Sequence, residues 1–392
     1  MPRPLIALYG ATGFTGRLVA HAMAARGLAL RLVGRDRARL DALAAELPGG
    51  ASVAVAAYDD AQALRAAFRE ARVVVSCAGP FARYGRHVVD AALAEGRHYL
   101  DISGELAFAQ TLIDRDAQAR AQGVAIVGCV GFDVAVSDAA AVLACEALGT
   151  RTVADVRLTV ASTTRPSRGS LRTLLDGLAS DAYAWTFTDG RLAPMPVAAA
   201  RWTVTLPPPF GRGAAASMGL VEAVVCPRST GAARVRTGLA LPSPGAFATV
   251  VRALRWACRQ PVLGGLVRRA LDAVTRLVPE GGSARVRRDA RLAIEAQATD
   301  DAGAVRAVVV TGGDVGDVTA AAAAICAEAM LARADDAPVG HQTPAQAFGA
   351  RWLLEQLAPH GVAWTATDPD PTPAAPNEPG TPRGVSPSPR PR

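Results

Sequence analysis

The sequence predicts an α/β protein in two parts: a doubly wound parallel sheet first, then an α+β domain with a mainly antiparallel sheet. Three observations predict it. Over residues 1–128 short apolar runs alternate with amphipathic helical patterns, the signature of parallel strands joined by crossover helices. The first run, Pro4-Leu5-Ile6-Ala7-Leu8, is followed by Tyr9-Gly10-Ala11-Thr12-Gly13-Phe14-Thr15-Gly16-Arg17 and then by a helical pattern from Leu18 to Arg26. From about Thr150 the pattern changes to longer alternating strands, Val153–Val160, Trp202–Leu206 and Ala304–Thr311, separated by Pro/Gly-rich turns.

In the first part, strands are expected at 4–9, 29–33, 52–56, 72–76, 98–100 and 124–127, with helices between them, such as Arg37 to Leu47 and Asp60 to Glu70. A strand, three glycines spaced GxxGxxG and a helix suit a pyrophosphate. It must meet backbone N–H groups at a helix N-terminus, and side chains in the tight turn would hold it away. Gly10, Thr12, Gly13, Phe14, Thr15 and Gly16 are therefore dinucleotide candidates in a Rossmann-type domain.

The end of the second strand, Leu32-Val33-Gly34-Arg35-Asp36, distinguishes two cofactors. Gly34 gives the adenosine room, and Arg35 offers a planar fork for a 2′-phosphate, which favours NADP(H) over NAD. Asp36 is the counter-evidence, and its plainer reading is N-cap of the helix beginning at Arg37. Asp59 follows the third strand and is an adenine candidate, with a turn or cap role fitting equally. After the fourth strand, Ala78, Gly79 and Pro80 are expected to line the nicotinamide ribose. Tyr84 and His87 are the nearest proton-bearing groups and the first catalytic candidates, although packing roles fit as well. Asp101 at the end of the fifth strand suits either a turn or a site. Asp133, in Gly131-Phe132-Asp133, would sit over the nicotinamide and is the third catalytic candidate.

These segments carry a family resemblance. GATGFTG (10–16), GRD at the second strand, then SCAGPFARYG, HYLDISGE and GFDVAVSD in that order resemble the saccharopine dehydrogenase-like oxidoreductases, which have an NADP-binding N-terminal domain. The branch most similar is the bacterial group that includes trans-acting enoyl reductases, which serve polyketide-derived lipid synthesis. The resemblance is dense over residues 5–140 and thins to Ser167–Thr173 and Thr343–Gly349. Where the family pattern continues GFD with a Pro before Ser-Asp, this chain has Val134-Ala135-Val136, which leaves Asp133 and Ser137 open as site residues.

The domains are expected at 1–132 (dinucleotide binding), 133–330 (substrate and oligomerisation), 331–366 (a helical segment packing back) and 367–392 (a Pro/Ser/Thr/Arg tail too poor in apolar residues to fold). Ser167, Gly169 and Ser170 form a polar turn before the helix Leu171–Leu178, with an N-cap as the plain role. In 245–278, Phe247, Val250, Val251, Leu254 and Ala257, then Leu263, Leu266, Val267, Leu271, Val274 and Leu277, recur at helical spacing with arginines between them. Gln260-Pro261 divides two basic amphipathic helices, which could pack on their own domain or a second subunit, cover an apolar chain, or touch a membrane peripherally.

Composition narrows the rest. No uninterrupted apolar run reaches the ~18–20 residues of a spanning helix, and the N-terminus enters a strand directly, so a cytoplasmic protein is expected, peripheral at most to the membrane's inner face. The six cysteines are scattered without CxxC or nearby His, against disulfides and against a metal site. A net charge of +7 carried entirely by dispersed arginines, without interleaved aromatics, gives no nucleic-acid platform. The absence of lysine also removes the Tyr-Lys pair of short-chain dehydrogenases. The resemblance implies an NADPH-dependent enoyl reductase acting on a small-molecule or carrier-bound acyl substrate, as a homodimer. Alternatives are an imine-reducing, amino-acid-type enzyme, which would need paired arginines such as Arg165, Arg168 and Arg172, and a non-enzymatic NADP-binding sensor.

Overall fold

The computed structural model describes residues 5–149, 152–333 and 336–367. The expected tail therefore lies, except for Thr367, outside the described residues. The first part runs β1 (Leu5–Tyr9), α1 (Phe14–Ala25), β2 (Ala29–Gly34), α2 (Arg37–Glu46), β3 (Ser52–Val55), α3 (Ala61–Phe68), β4 (Ala71–Ser76), α4 (Phe81–Ala94), β5 (His98–Asp101), α5 (Leu106–Ile113), α6 (Asp116–Ala121) and β6 (Ala125–Val127). The second continues α7 (Phe132–Leu148), β7 (Val153–Ser162), α8 (Arg168–Ala179), β8 (Trp185–Thr188), β9 (Arg191–Pro194), β10 (Arg201–Leu206), β11 (Gly211–Ser217), α9 (Glu222–Thr230), β12 (Arg234–Leu241), α10 (Pro244–Arg259), α11 (Leu263–Leu277) and α12 (Ala284–Arg288). It closes with β13 (Leu292–Asp300), β14 (Val305–Gly312), α13 (Val315–Arg333), β15 (Gly340–Gln342), α14 (Pro344–Phe348), α15 (Ala350–Leu357) and β16 (Ala363–Thr367).

Two sheets result. The first has seven parallel strands in the order β15-β6-β5-β4-β1-β2-β3, so the chain reverses its direction of travel between β1 and β4. The short strands of its centre are valine- and leucine-rich and buried on both faces, as parallel strands covered by helices must be. The second sheet follows β10-β11-β12-β7-β13-β14-β16, with β8 and β9 attached at β12. Its pairs are antiparallel except β12 with β7.

α7 joins the sheets. Almost every described residue from Val134 to Ala144 is buried, and one apolar core runs from β1 through α7 to β13 and β14. The C-terminal segment differs from the helical expectation. β15 extends the first sheet beside β6 and β16 extends the second beside β14, while the helical part is split into α14 and α15 at Gly349, whose φ is +89°. One described helix, α13, is long and apolar enough to cross a membrane, and most of it is buried, packed on α1 and α7.

Candidate functional site

The turn between β1 and α1 lies at the reversal point, where open α/β sheets bind ligands beyond the strands' carboxyl ends. Gly10 has φ +77°, and a Cβ there would lie 2.8 Å from the Ala78 amide nitrogen. A Cβ on Gly16 would lie 2.2 Å from the Gly10 carbonyl oxygen, so both glycines are required by the turn's own packing. Gly13 and Gly34 are not. A Cβ would come no closer than 3.5 Å to its neighbours at Gly13 and 3.6 Å at Gly34. At exposed Gly13 the missing side chain instead leaves open space before the first turn of α1, which has no side-chain cap. Its free N–H groups, at Phe14, Thr15 and Gly16, face the position of a pyrophosphate, and the turn fits a dinucleotide.

Charge at the end of β2 fits a 2′-phosphate. Asp36 caps α2 by accepting the Arg39 amide at 3.1 Å, so its carboxylate is committed to the helix. Arg37 pairs with Asp41, whereas exposed Arg35 makes no hydrogen bond or ion pair among the described residues. Arg39, which no motif in the sequence marks, crosses back to the turn and donates to the Thr12 carbonyl at 2.9 Å. An Arg35→Ala variant is expected to weaken NADPH binding roughly 50-fold while leaving NADH nearly unaffected. Titration of both nucleotides checks this, and equal losses would remove Arg35 from the phosphate.

Tyr84 and His87 lie on α4, where Tyr58 gathers them: ring centroids are 4.5 Å apart for Tyr58 and Tyr84, and 5.6 Å for Tyr58 and His87. Tyr58 and exposed Asp59 follow β3, so this group sits on the adenosine side of the turn. Tyr9 adjoins it. Burial pushes its hydroxyl up to about 12, with Arg35 opposing and Asp59, Tyr84 and Tyr58 adding to the rise.

On the other side, Ala78, Gly79 and Pro80 lead from β4 into α4. Glu105, another residue without an assigned role, holds this turn by accepting the Phe81 and Ala82 amides, both at 2.8 Å. Burial raises its carboxyl above the usual range, and the charges of Asp101 and Asp176 add to the rise. Asp101 is fully buried, accepts the Ser103 and Cys129 amides at 2.9 and 3.0 Å, and is raised by burial. It joins the β5 and β6 turns. Cys129, at φ 60°, lies 3.4 Å from the Ser103 hydroxyl. Asp133 is the second residue of α7, and its side chain lies outside the described ones. Ser137 is buried and donates to Glu222 at 2.9 Å, facing α9.

The second domain supplies the facing wall. Phe14 packs against it: a Cβ on Gly281 would lie 2.1 Å from the Phe14 ring, and the Arg287 guanidinium stands 5.9 Å from the ring centroid. The loop before α12 therefore rests on the glycine-rich turn. Arg168, at the start of α8, donates to the carbonyls of Val278 at 2.9 Å and Glu280 at 3.4 Å. Ser167 caps α8, accepting the Ser170 amide at 3.2 Å. Asp176 of α8 adds to the rise at Glu105, so α8 lies on the same side of the glycine-rich turn as the Ala78–Pro80 segment.

Comparison with known proteins matches residues 6–127 to the saccharopine dehydrogenase NADP-binding domain. The cofactor is NADP(H), which the open Gly13 and unpaired Arg35 fit. A trans-acting enoyl reductase of Mycobacterium leprae is 39% identical over 139 residues, and a lipid droplet localized protein of Caenorhabditis elegans is 33% identical over 145 residues. These alignments span 34% of this chain and 33% and 34% of those relatives, so the chain matches about a third of their length. Apo saccharopine dehydrogenase (L-Glu forming) from Saccharomyces cerevisiae shares the fold, with a TM-score of 0.63 over 93% of this chain and 100% of that one at 14% identity. The saccharopine dehydrogenase fold thus extends across both sheets.

Proposed function

We propose that the protein reduces a carbon–carbon double bond in an acyl or polyketide-type lipid intermediate. The 39% identity of its NADP-binding domain with the mycobacterial trans-acting enoyl reductase carries this reading. Bound NADPH supplies the hydride. The chain's own work is to hold the nucleotide on the α1 N-terminus, keep the turn at Ala78–Pro80 in place through Glu105, and exclude water with α8 and the Gly281 loop. Hydride addition to the β-carbon of an enoyl thioester moves charge onto the thioester oxygen, which needs positioned donors. The N-terminus of α8, where the Ser167 and Ser170 hydroxyls are 3.0 Å apart, lies on the second-domain side and offers them.

Of the arginines that an imine-reducing site would draw on, Arg172 stands between Asp176 and Asp272 and Arg168 serves the Val278 carbonyl, which leaves the Arg165 guanidinium as the one without a hydrogen bond or ion pair among the described residues. The test is NADPH oxidation followed by loss of nicotinamide absorbance, with medium and long trans-2-enoyl thioesters beside α-keto acid and amine mixtures. Turnover of the thioesters is expected. Turnover of the keto acid with an amine would replace this reading by imine reduction, and tight NADPH binding without any turnover would replace it by a sensor.

A further inference from the structure

Among the described residues, the hairpin of α10 and α11 leaves an apolar face exposed. Leu263, Leu266, Val274 and Leu277 of α11 are 39, 56, 50 and 86% exposed. At ~100° per residue they fall within about a quarter of the helix circumference. Trp256, near the end of α10, and Val262, between the helices, extend the same exposed apolar surface at 63 and 79% exposure. On the opposite side of α11 Gly264 and Thr275 are buried, and the helix packs on α8 and α10. A stripe of this size kept in water is unfavourable, so it marks a contact surface.

The charges identify the contact. α10 and α11 together carry six arginines and one acidic residue, Asp272, which faces Arg172 at 3.5 Å. Arg255 and Arg259 are taken by Asp181. Arg252, Arg269 and Arg276 have no acidic partner among the described residues, and neither have Arg285 and Arg288 of the following α12. On the α11 wheel, Arg269 and Arg276 fall on one flank of the leucine stripe. A second copy is a poor occupant, because a two-fold contact would set this basic rim against itself.

We propose that the α10–α11 hairpin docks the protein on an anionic lipid surface, with the leucine stripe entering the headgroup boundary and the flanking arginines meeting lipid phosphates. An interfacial helix has this build, with an apolar face below and guanidinium groups reaching to the headgroups. The hairpin packs on α8, whose first residue, Arg168, donates to the Glu280 carbonyl beside the Gly281 loop. The inference stands on the hairpin alone and is read as binding, independently of turnover.

The experiment is flotation of the full chain with phosphatidylglycerol/phosphatidylcholine vesicles and with phosphatidylcholine vesicles. Flotation is expected with the first, should weaken as salt rises, and should be much weaker with the second. The double variants Leu266→Glu/Leu277→Glu and Arg269→Glu/Arg276→Glu should each bind the anionic vesicles at least roughly tenfold more weakly. All four side chains are exposed, so melting temperature and NADPH affinity should not change. Absence of flotation, or flotation unaffected by either double variant, would overturn the proposal. So would a dimer in sedimentation that the leucine variant dissociates and that does not float, which would give the stripe to a second copy.

Discussion

A Gly13→Val variant is expected to lose NADPH binding by at least roughly 100-fold while melting close to the parent protein. Gly13 is exposed, its φ and ψ of −72° and 165° lie in the extended region that valine adopts readily, and nothing among the described residues approaches a Cβ there within 3.4 Å. The added methyl groups would stand in the space before the free amides of α1, where the pyrophosphate belongs. Gly16→Ala should behave in the opposite sense. Its Cβ would lie 2.2 Å from the Gly10 carbonyl oxygen, so the turn itself must move, and the melting temperature should fall by roughly 5–10 °C. Isothermal titration with NADPH beside calorimetric melting separates the two. If Gly13→Val still bound NADPH tightly, the nucleotide would not lie against this turn, and the assignment of the site would fail with it.

What was legible in the sequence is what local chemistry determines. The six strands from β1 to β6 appear within a residue or two of their expected places because each is an apolar run bounded by turn residues. Asp36 and Ser167 cap α2 and α8 because a short polar side chain before a helix accepts its N3 amide. The division of the basic hairpin at Gln260-Pro261 was equally local. The remainder depends on distant partners. β15 is three residues long, and only its place beside β6 makes Gly340-His341-Gln342 a strand. The parallel pairing of β12 with β7 is a choice of register that neither strand's own pattern contains. In the site, Phe14 stood in the glycine motif, but its contact with Gly281 comes from a segment whose composition reads as an ordinary turn. Arg39 looks like any exposed helical arginine until the carbonyl of Thr12 is placed beneath it. Tyr84 and His87 were visible as proton-bearing groups near the end of β4. Their association with Tyr58 was not, because it depends on which face of α4 turns toward β3.

Asp138→Ala is expected to destabilise the protein by about 3 kcal/mol, lowering the melting temperature by roughly 6–12 °C. Asp138 lies on α7, fully buried, where it accepts the Ser229 hydroxyl and, at 3.0 Å, the Ala345 amide, with Thr343 and Cys226 also on its carboxylate. One side chain thus ties α9 and the start of α14 to the helix between the two sheets. The same C-terminal segment is anchored a second time by Gln346, which donates to the Arg228 carbonyl at 2.7 Å. Removing the carboxylate leaves the buried Ala345 amide and the Thr343 hydroxyl without this acceptor, and the cost arises there rather than from lost volume, while the Ser229 hydroxyl keeps the Cys226 carbonyl at 3.1 Å. Asp138→Asn keeps one acceptor oxygen and should cost less. Its pH dependence follows from burial, which holds the Asp138 carboxyl above the usual range. Between the unfolded value near ~3.9 and the folded one, the native state keeps a proton that the unfolded chain has released. The parent protein therefore loses stability as pH rises through that window, while the asparagine variant lacks this slope. The stability gap between the two should be widest at the acid end and narrow toward neutrality in denaturant titrations. A gap that widens with pH would mean that the folded site prefers the ionised carboxylate, its hydrogen-bond donors outweighing the burial.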